Sequence, residues 1–196
     1  MIDRYQQLKT TNSEAVLAIT GNSGTQPIIV SDAQVIDNGG KQLDLATMRL
    51  PDAGRITWGG KSYFKAETWP PVRAQKGQVA VLAGFPGMHR EPSSRGLEVR
   101  ATPICDFVTS VSDRNIFLVD EDMARVAVKH NPALKDLDSL GGMSGSAVYV
   151  VDEGRHVPML VGFMYEAGQG THAFIFIAHA AYIRADGRLD RSSMPW

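Results

Sequence analysis

The feature that most constrains this chain is a succession of short apolar or alternating segments bounded by Gly, Pro, Asn and Asp. Each segment has the length of a β-strand and is rich in Val, Ile, Phe and Thr. They are AVLAIT (15–20), PIIVS (27–31), QLDLATMRL (42–50), RITWG (55–59), QVAVLAGF (78–85), LEVRATPICDFVTSV (97–111), NIFLV (115–119), AVYVV (147–151), PMLVGFMY (158–165) and HAFIFIA (172–178). Helical periodicity is confined to MIDRYQQLK at the start and AHAAYIRADGRL (178–189) near the end, where Gly187 is a stop signal. The pattern predicts an all-β barrel or sandwich with a short C-terminal helix.

Composition and charge limit the classes of partner. With 196 residues, of which 43% are hydrophobic and 21% charged, the chain has the balance of a globular protein of one domain or two small ones. The net charge of −1 does not indicate the basic surface that binds nucleic acid or an anionic membrane. No apolar run reaches the roughly 18–20 residues that a membrane span requires. We therefore expect no nucleic acid and no membrane as partners, and the oligomeric state stays open.

The first residues and the cysteine content bound the location. MIDRYQQLKTTNSEA lacks the apolar core of a secretion signal, so a cytoplasmic location is expected if Met1 is the native start. The single cysteine, Cys105, excludes an internal disulfide framework and fits a reducing compartment or a disulfide-free secreted protein. His and Cys never approach ligand spacing, so neither a metal site nor a cofactor is predicted.

Two stretches share the pattern Gly-x-Ser-Gly, which can present a serine hydroxyl beside free backbone N–H groups: GNSG (21–24) and GMSG (142–145). An attacking serine needs converging N–H groups and a strand that holds the turn rigid. SAVYVV, a polar turn and PMLVGF follow Ser144 and predict such a hairpin, whereas TQP follows Ser23 and predicts an exposed turn. Ser144 is therefore the candidate nucleophile. The Gly-x-Ser-x-Gly elbow of α/β-hydrolases does not fit, because Ser146 replaces its last glycine and a strand follows instead of a helix.

Three motifs in order resemble the trypsin-like serine protease family, and its bacterial members in particular. GGMSGSAVYV followed by LVGF resembles the nucleophile segment, and LDLATMRL (43–50) is similar to the strand whose aspartate orients the catalytic histidine. GQVAVLAGFPG (77–87) is similar to the stretch that follows the crossover between the two barrels. The resemblance implies a two-barrel fold: a partial N-terminal β-barrel over 1–65, a crossover linker over 66–77, and a C-terminal barrel with the nucleophile and a terminal helix over 78–196.

The resemblance also implies catalytic roles. Asp44 is the orienting member of a triad, and the backbone N–H groups of Gly142 and Ser144 form the oxyanion hole. Asp44 and Ser144 are then expected on facing walls of one cleft, about 6–9 Å apart, with room for one imidazole between them. From the strand alone, a solvated aspartate between two leucines is the alternative for Asp44.

Further residues are implied for the substrate site. Asp138, with Ser139 beside it, lies where members with basic specificity hold the carboxylate of the pocket, so a preference for Arg or Lys is expected. An exposed loop aspartate is the alternative. Tyr165, Glu166 and Ala167 form the strand edge that pairs with an extended peptide or protein substrate.

The general base of such a triad is missing from its expected place. A serine hydroxyl is a poor nucleophile until a histidine takes its proton. In the family this histidine precedes the aspartate, whereas all five histidines of this chain follow Asp44: His89, His130, His156, His172 and His179. A solvated or structural role is expected for each. The stretch before Asp44 is also shorter than the family's, which matches loss of the first strands of the N-terminal barrel.

Two interpretations therefore stay open. The chain is a fragment of a longer serine endopeptidase, which hydrolyses peptide bonds through an acyl-enzyme on Ser144, or an inactive homologue that binds peptides or proteins. In both cases we expect the chain as given to be nearly silent as a catalyst, because no base accepts the proton of Ser144.

Overall fold

The fold is almost entirely β-strand. The computed structural model describes residues 2–14, 18–19, 28–29, 34–40, 45–49, 69–85, 87, 90–93, 96–99, 101–119, 141–151, 157–168 and 174–193. In this part of the chain one helix, α1 (Ile2–Thr11), precedes the strands. These are β1 (Ala18–Ile19), β2 (Ile28–Ile29), β3 (Gln34–Asn38), β4 (Ala46–Arg49), β5 (Val79–Gly84), β6 (Arg90–Ser93), β7 (Gly96–Val99), β8 (Thr102–Val111), β9 (Asn115–Val119), β10 (Ala147–Val151), β11 (Pro158–Gly168) and β12 (Phe174–His179). The predicted all-β class and the barrel are confirmed.

A closed antiparallel barrel dominates the described residues. Its six strands follow the order β5-β8-β9-β12-β11-β10. Two three-stranded meanders, β5-β8-β9 and β10-β11-β12, are joined along both edges, because β10 pairs with β5 and β12 pairs with β9. Each strand of the barrel therefore pairs with a neighbour on both sides. β10 pairs with β11 only as far as Phe163, so the end of β11 that contains Glu166 pairs with β12 but extends beyond β10.

Alternation along the strands fills the interior of the barrel. Val148 and Val150 of β10 are fully buried, while the residues between and beside them are more exposed. In β12, Ile175 and Ile177 point inward in the same way. The rest of this core comprises Ala74, Ala80, Leu82, Val108, Ile116, Leu118, Met143, Val161 and Met164. Full burial of a Val, Leu, Ile or Met side chain stabilises the folded state by about 1.5–3 kcal/mol. This interior is therefore the main source of apolar stabilisation in the described residues.

A smaller apolar cluster joins the β3-β4 hairpin to the C-terminal segment. Its members are Leu45, Tyr182, Ile183 and Leu189, with Phe163 packed against them. Polar contacts follow the same seam, since the Thr47 hydroxyl donates to the carbonyl oxygen of Gly187. The backbone N–H of Leu189 donates to the carboxylate of Asp37 at 2.9 Å. The β3-β4 hairpin is thus attached to the C-terminal segment around Leu189.

The segment predicted as a crossover linker over 66–77 is described from residue 69 onward, and this part packs on the barrel. Ala74 belongs to the barrel core, and the N–H of Gly77 donates to the carbonyl oxygen of Val108 at 2.8 Å. The boundaries 1–65, 66–77 and 78–196 stay predictions.

The predicted C-terminal helix over 178–189 is wrong. The chain makes a single 3-10 turn, Ala180–Tyr182, and then doubles back so that Ile183 pairs with Leu189 in an antiparallel bridge. Gly187, predicted as a helix stop, has φ +82° within this reversal. Both bridged residues are buried in the smaller cluster, and tertiary burial overrides a weak local preference for helix.

Candidate active site around Ser144

The GMSG loop leads directly into β10 and is held by backbone hydrogen bonds. Its Met143 side chain is 1% exposed and anchors the loop in the barrel core, while Ser144 is exposed. The N–H of Gly145 donates to the carbonyl oxygen of Met164 at 2.7 Å, and the N–H of Met164 donates to that of Ser146 at 2.9 Å. The end of the loop that follows Ser144 is therefore fixed against Met164 of β11.

The two glycines of the motif are required by the backbone of the loop. Gly142 has φ +95° and Gly145 has φ +91°, a region that residues with a side chain rarely adopt. Within the described residues, the backbone N–H groups of Gly142 and Ser144 donate to no carbonyl oxygen. Within the part of the chain that is described, both N–H groups are therefore available, as an oxyanion site requires.

The hydroxyl of Ser144 contacts a β-bulge in β11. Its Oγ donates to the carbonyl oxygen of Tyr165 at 3.2 Å. Met164 pairs with Ile177 and Glu166 with Phe176, so Tyr165 is the extra residue that no residue of β12 opposes. Bulges re-aim backbone and side chain locally and are frequent beside active sites.

The structure brings Ser144 together with the strand edge predicted to pair with substrate. Glu166 is exposed, and Tyr165 and Ala167 are half-buried. The motif over 77–87 also reaches the loop, because the N–H of Gly87 donates to the carbonyl oxygen of Gly141 at 2.6 Å. Two of the three sequence motifs thus meet at Ser144.

The remaining predicted site residues lie outside the described residues. They are Asp44, Asp138 and Ser139, together with His89, His130, His156, His172 and the alternative serine, Ser23. The expected separation of Asp44 from Ser144 and the preference for Arg or Lys stay predictions.

His179 is the one histidine among the residues that the structure describes, and it is fully buried. Its Nε2 lies 2.8 Å from the carbonyl oxygen of Ser112, which can only accept, so Nε2 carries the hydrogen. Its Nδ1 is buried without a hydrogen-bond partner. In this arrangement His179 does not act as a base toward Ser144.

Burial is the main cause that lowers the pKa of His179 from its ordinary value. The hydrogen bond to Ser112 and the carboxylate of Asp113 oppose that shift, while the nearby charge of Arg73 adds to it. Tyr182, whose ring meets that of His179 at 5.5 Å in a T-shaped contact, has its pKa raised by burial. The neutral forms of both side chains are therefore favoured.

One part of the site was missed by sequence reasoning. The Tyr165 ring stacks on Phe176 with centroids 5.8 Å apart, and its hydroxyl donates to Oδ1 of Asn115 at 3.0 Å. Phe117 and Phe174 extend this aromatic cluster on the outer face of β9 and β12. The alternation in HAFIFIA predicts that Phe174 and Phe176 share a face, but no local pattern links Asn115 to Tyr165.

No group of three or more His, Cys, Asp or Glu side chains that the structure describes could hold a metal ion. None of the described helices has the length and apolarity to cross a membrane.

Comparison with known proteins gives no relative from which a function can be inferred. No protein-family model matches the chain, and neither curated proteins nor solved structures give a significant match.

Proposed function

We propose that this chain is a trypsin-like serine endopeptidase domain in which Ser144 is the nucleophile. The observation that carries the proposal is the Ser144 loop. Its hydroxyl is exposed and contacts the bulge of β11, and the N–H groups of Gly142 and Ser144 donate to no carbonyl oxygen of the described residues. A hydroxyl, an oxyanion site and a strand edge beside it are the parts that acyl transfer from a peptide requires.

The barrel supports the same proposal at the level of architecture. The nucleophile loop opens the second meander, and β10 and β11 form the hairpin expected to hold it. In the proposed two-barrel domain, this barrel is the C-terminal one. The β1-β2 and β3-β4 pairs then belong to the N-terminal barrel. Asp44 takes the place of the aspartate that orients the catalytic histidine, although no histidine of this chain precedes it.

The chemistry would proceed through an acyl-enzyme. The Ser144 oxygen attacks the peptide carbonyl carbon, and the electron pair of the C=O bond moves to the oxygen, which the N–H groups of Gly142 and Ser144 stabilise. The C–N bond then breaks, and the amine leaves with the proton given up by the Ser144 hydroxyl, which a general base must carry between them. Water then attacks the ester in the same way, releases the acid and returns the proton to Ser144. Here the hydroxyl hydrogen of Ser144 is held by a backbone carbonyl, which is too weakly basic to accept it, so we expect slow turnover.

The second candidate function is a module that binds peptides without cutting them. The hydrogen bond between the Ser144 hydroxyl and the Tyr165 carbonyl favours it, because a carbonyl oxygen holds the hydroxyl in place without removing its proton. A peptide would then add to the β11 edge near Glu166 by backbone pairing.

The test is covalent labelling with a fluorophosphonate, with site occupancy measured by mass spectrometry. Ser110, which is exposed on β8, is the internal reference. One oxyanion donor is worth about 10²–10³ in rate, so Ser144 should react at least about 100-fold faster than Ser110. Free imidazole, which supplies a base, should accelerate the reaction at Ser144 selectively. Ser144→Ala is the matched control.

Equal reaction of Ser144 and Ser110, with or without imidazole, would overturn the protease proposal. Peptide binding that Ser144→Ala leaves unchanged, combined with such equal labelling, would establish the binding module instead. Rapid stoichiometric labelling without imidazole would show that a base is present in the chain after all.

A further inference from the structure

Hydrogen bonds connect the Ser144 loop to the buried His179 through three intervening residues, Tyr165, Asn115 and Ser112. The Ser144 hydroxyl donates to the Tyr165 carbonyl oxygen at 3.2 Å, and the Tyr165 hydroxyl donates to Oδ1 of Asn115 at 3.0 Å. Asn115 is the first residue of β9 and closes the turn that joins it to β8. Through Asn115, the turn links Tyr165 of β11 to β9, the strand on the other side of β12.

The turn is organised by Ser112, which contacts both Asn115 and His179. Its N–H donates to the carbonyl oxygen of Asn115 at 2.9 Å, and its Oγ accepts the N–H of Asn115 at 2.9 Å. Its own carbonyl oxygen accepts the hydrogen of His179 Nε2 at 2.8 Å. A shift of the turn therefore moves Asn115 relative to the strand that carries His179.

We propose that Asn115 and His179 are positioning residues for Ser144, which act through the 112–115 turn and the bulged residue Tyr165. At the bulge, Tyr165 is held by the ring stack on Phe176 and by the phenol contact to Asn115. The carbonyl of Tyr165 in turn sets the orientation of the Ser144 hydroxyl. The inference concerns the site of the proposed function, but its main readout does not require catalysis.

The charge state of His179 gives the arrangement a pH dependence. Protonation places an N–H on Nδ1, which is buried and has no acceptor. The groups that face His179 are Tyr182, which stays neutral, the guanidinium of Arg73 and the carboxylate of Asp113. The Arg73–Asp113 pair is 3.1 Å apart and solvent-exposed, so it offsets little of the cost of a buried charge. Acid should therefore favour states in which His179 leaves the turn.

The experiment measures amide hydrogen exchange at Gly145 and Met164, whose N–H groups tie the Ser144 loop to β11. Tyr165→Phe keeps the ring stack and removes one hydrogen bond, and Asn115→Leu removes the same bond from the other side. Each should raise exchange at both amides about three- to tenfold, and the double variant should exceed neither single variant, because all three lose one shared bond. Thr109→Val is the matched control, because its hydroxyl bonds to Phe117 in the same hairpin but outside this chain of contacts.

A pH series separates positioning by His179 from general stability. In the wild type, exchange at Gly145 and Met164, corrected for its intrinsic rate, should rise as pH falls below about 6.5. His179→Gln, which can still donate to Ser112, should keep protection at pH 7 and lose this pH dependence, whereas His179→Phe should lose protection at every pH.

Unchanged exchange in Tyr165→Phe and Asn115→Leu, or an equal effect of Thr109→Val, would overturn the proposal. Fluorophosphonate labelling of the same variants keeps the two proposals apart. The expected exchange pattern without selective labelling of Ser144 would support the positioning role and reject the protease. Selective labelling with no change in exchange would do the reverse.

Discussion

Asp37 shows how a single carboxylate links parts of the chain that are far apart in sequence. It accepts the N–H of Leu189 at 2.9 Å and a guanidinium hydrogen of Arg191 at 2.7 Å. The bond from Leu189 is the main cause that holds the pKa of Asp37 below its ordinary value of 3.8, and Arg191 contributes in the same direction. The ionised form is therefore the one that fastens β3 to the C-terminal segment.

We predict that Asp37→Asn lowers the free energy of unfolding by about 1 kcal/mol at pH 7, because Arg191 is half exposed and its share is screened by solvent. A lowered folded pKa means that this stabilisation is present above about pH 3.9 and is lost as pH falls through the folded pKa. The difference from wild type in urea unfolding should therefore shrink below about pH 4. Asp186→Asn, which alters contacts only within 184–188, should cost less than about 0.5 kcal/mol. A constant difference across pH would contradict this role for the charge.

Among the elements, β11 is the one on which the site depends, because it pairs with β10 and β12 and carries the bulge at Tyr165. Its close approach to β12 is possible only because residue 162 is glycine. A Cβ on Gly162 would collide with the carbonyl oxygen of Ala178 and with the side chain of Ile177. The contact involves backbone, so no rotamer change relieves it.

We predict that Gly162→Ala lowers the free energy of unfolding by at least about 2 kcal/mol, because the two strands must separate locally. Gly77→Ala is the control, since its added Cβ would meet nothing within 4 Å and it tests only the strain of φ +89°, about 1 kcal/mol. Urea midpoints of the two variants give the comparison. Equal costs would mean that β11 and β12 are not in close contact at this position.

At the scale of the whole molecule, the described residues contain two apolar clusters of unequal size. The larger fills the barrel, and the smaller lies between the β3-β4 hairpin and the C-terminal reversal. Leu82 is 1% exposed in the former and Leu45 is 8% exposed in the latter. Loss of a side chain should therefore have a global effect in one cluster and a local effect in the other.

We predict that Leu82→Ala lowers the global free energy of unfolding by about 3–5 kcal/mol. Leu45→Ala should instead lower the free energy of local opening of the smaller cluster, by about 2 kcal/mol. Leu45→Ala should accelerate amide exchange within 34–38 and 183–190, where the hairpin meets the C-terminal segment, and leave β10 and β12 protected. Hydrogen-exchange mass spectrometry measures both regions in one experiment. Uniform acceleration would show that the two clusters unfold as one unit.

The sequence by itself determined the all-β class and the hairpin that follows Ser144, while the role of Ser144 as nucleophile stays a prediction. Turn residues between strand-length segments predict an all-β barrel or sandwich, because a period of two can bury one face only in a sheet. The residues after Ser144 predict the β10-β11 hairpin that holds its loop, since alternation and turn signals are local properties of the chain. Both features are encoded in neighbouring residues, so no knowledge of distant contacts is needed.

Tertiary structure alone decided three features. The segment after β12 doubles back instead of continuing as a helix, because Ile183 and Leu189 are buried against Leu45. Tyr165 is bulged, and its hydroxyl reaches Asn115 across β12, only because three strands are neighbours in the closed barrel. The hydrogen bond of His179 depends on the carbonyl oxygen of Ser112, which lies in a different hairpin. Such contacts join residues far apart in sequence, and their energies appear only when the barrel closes, so no local pattern could contain them.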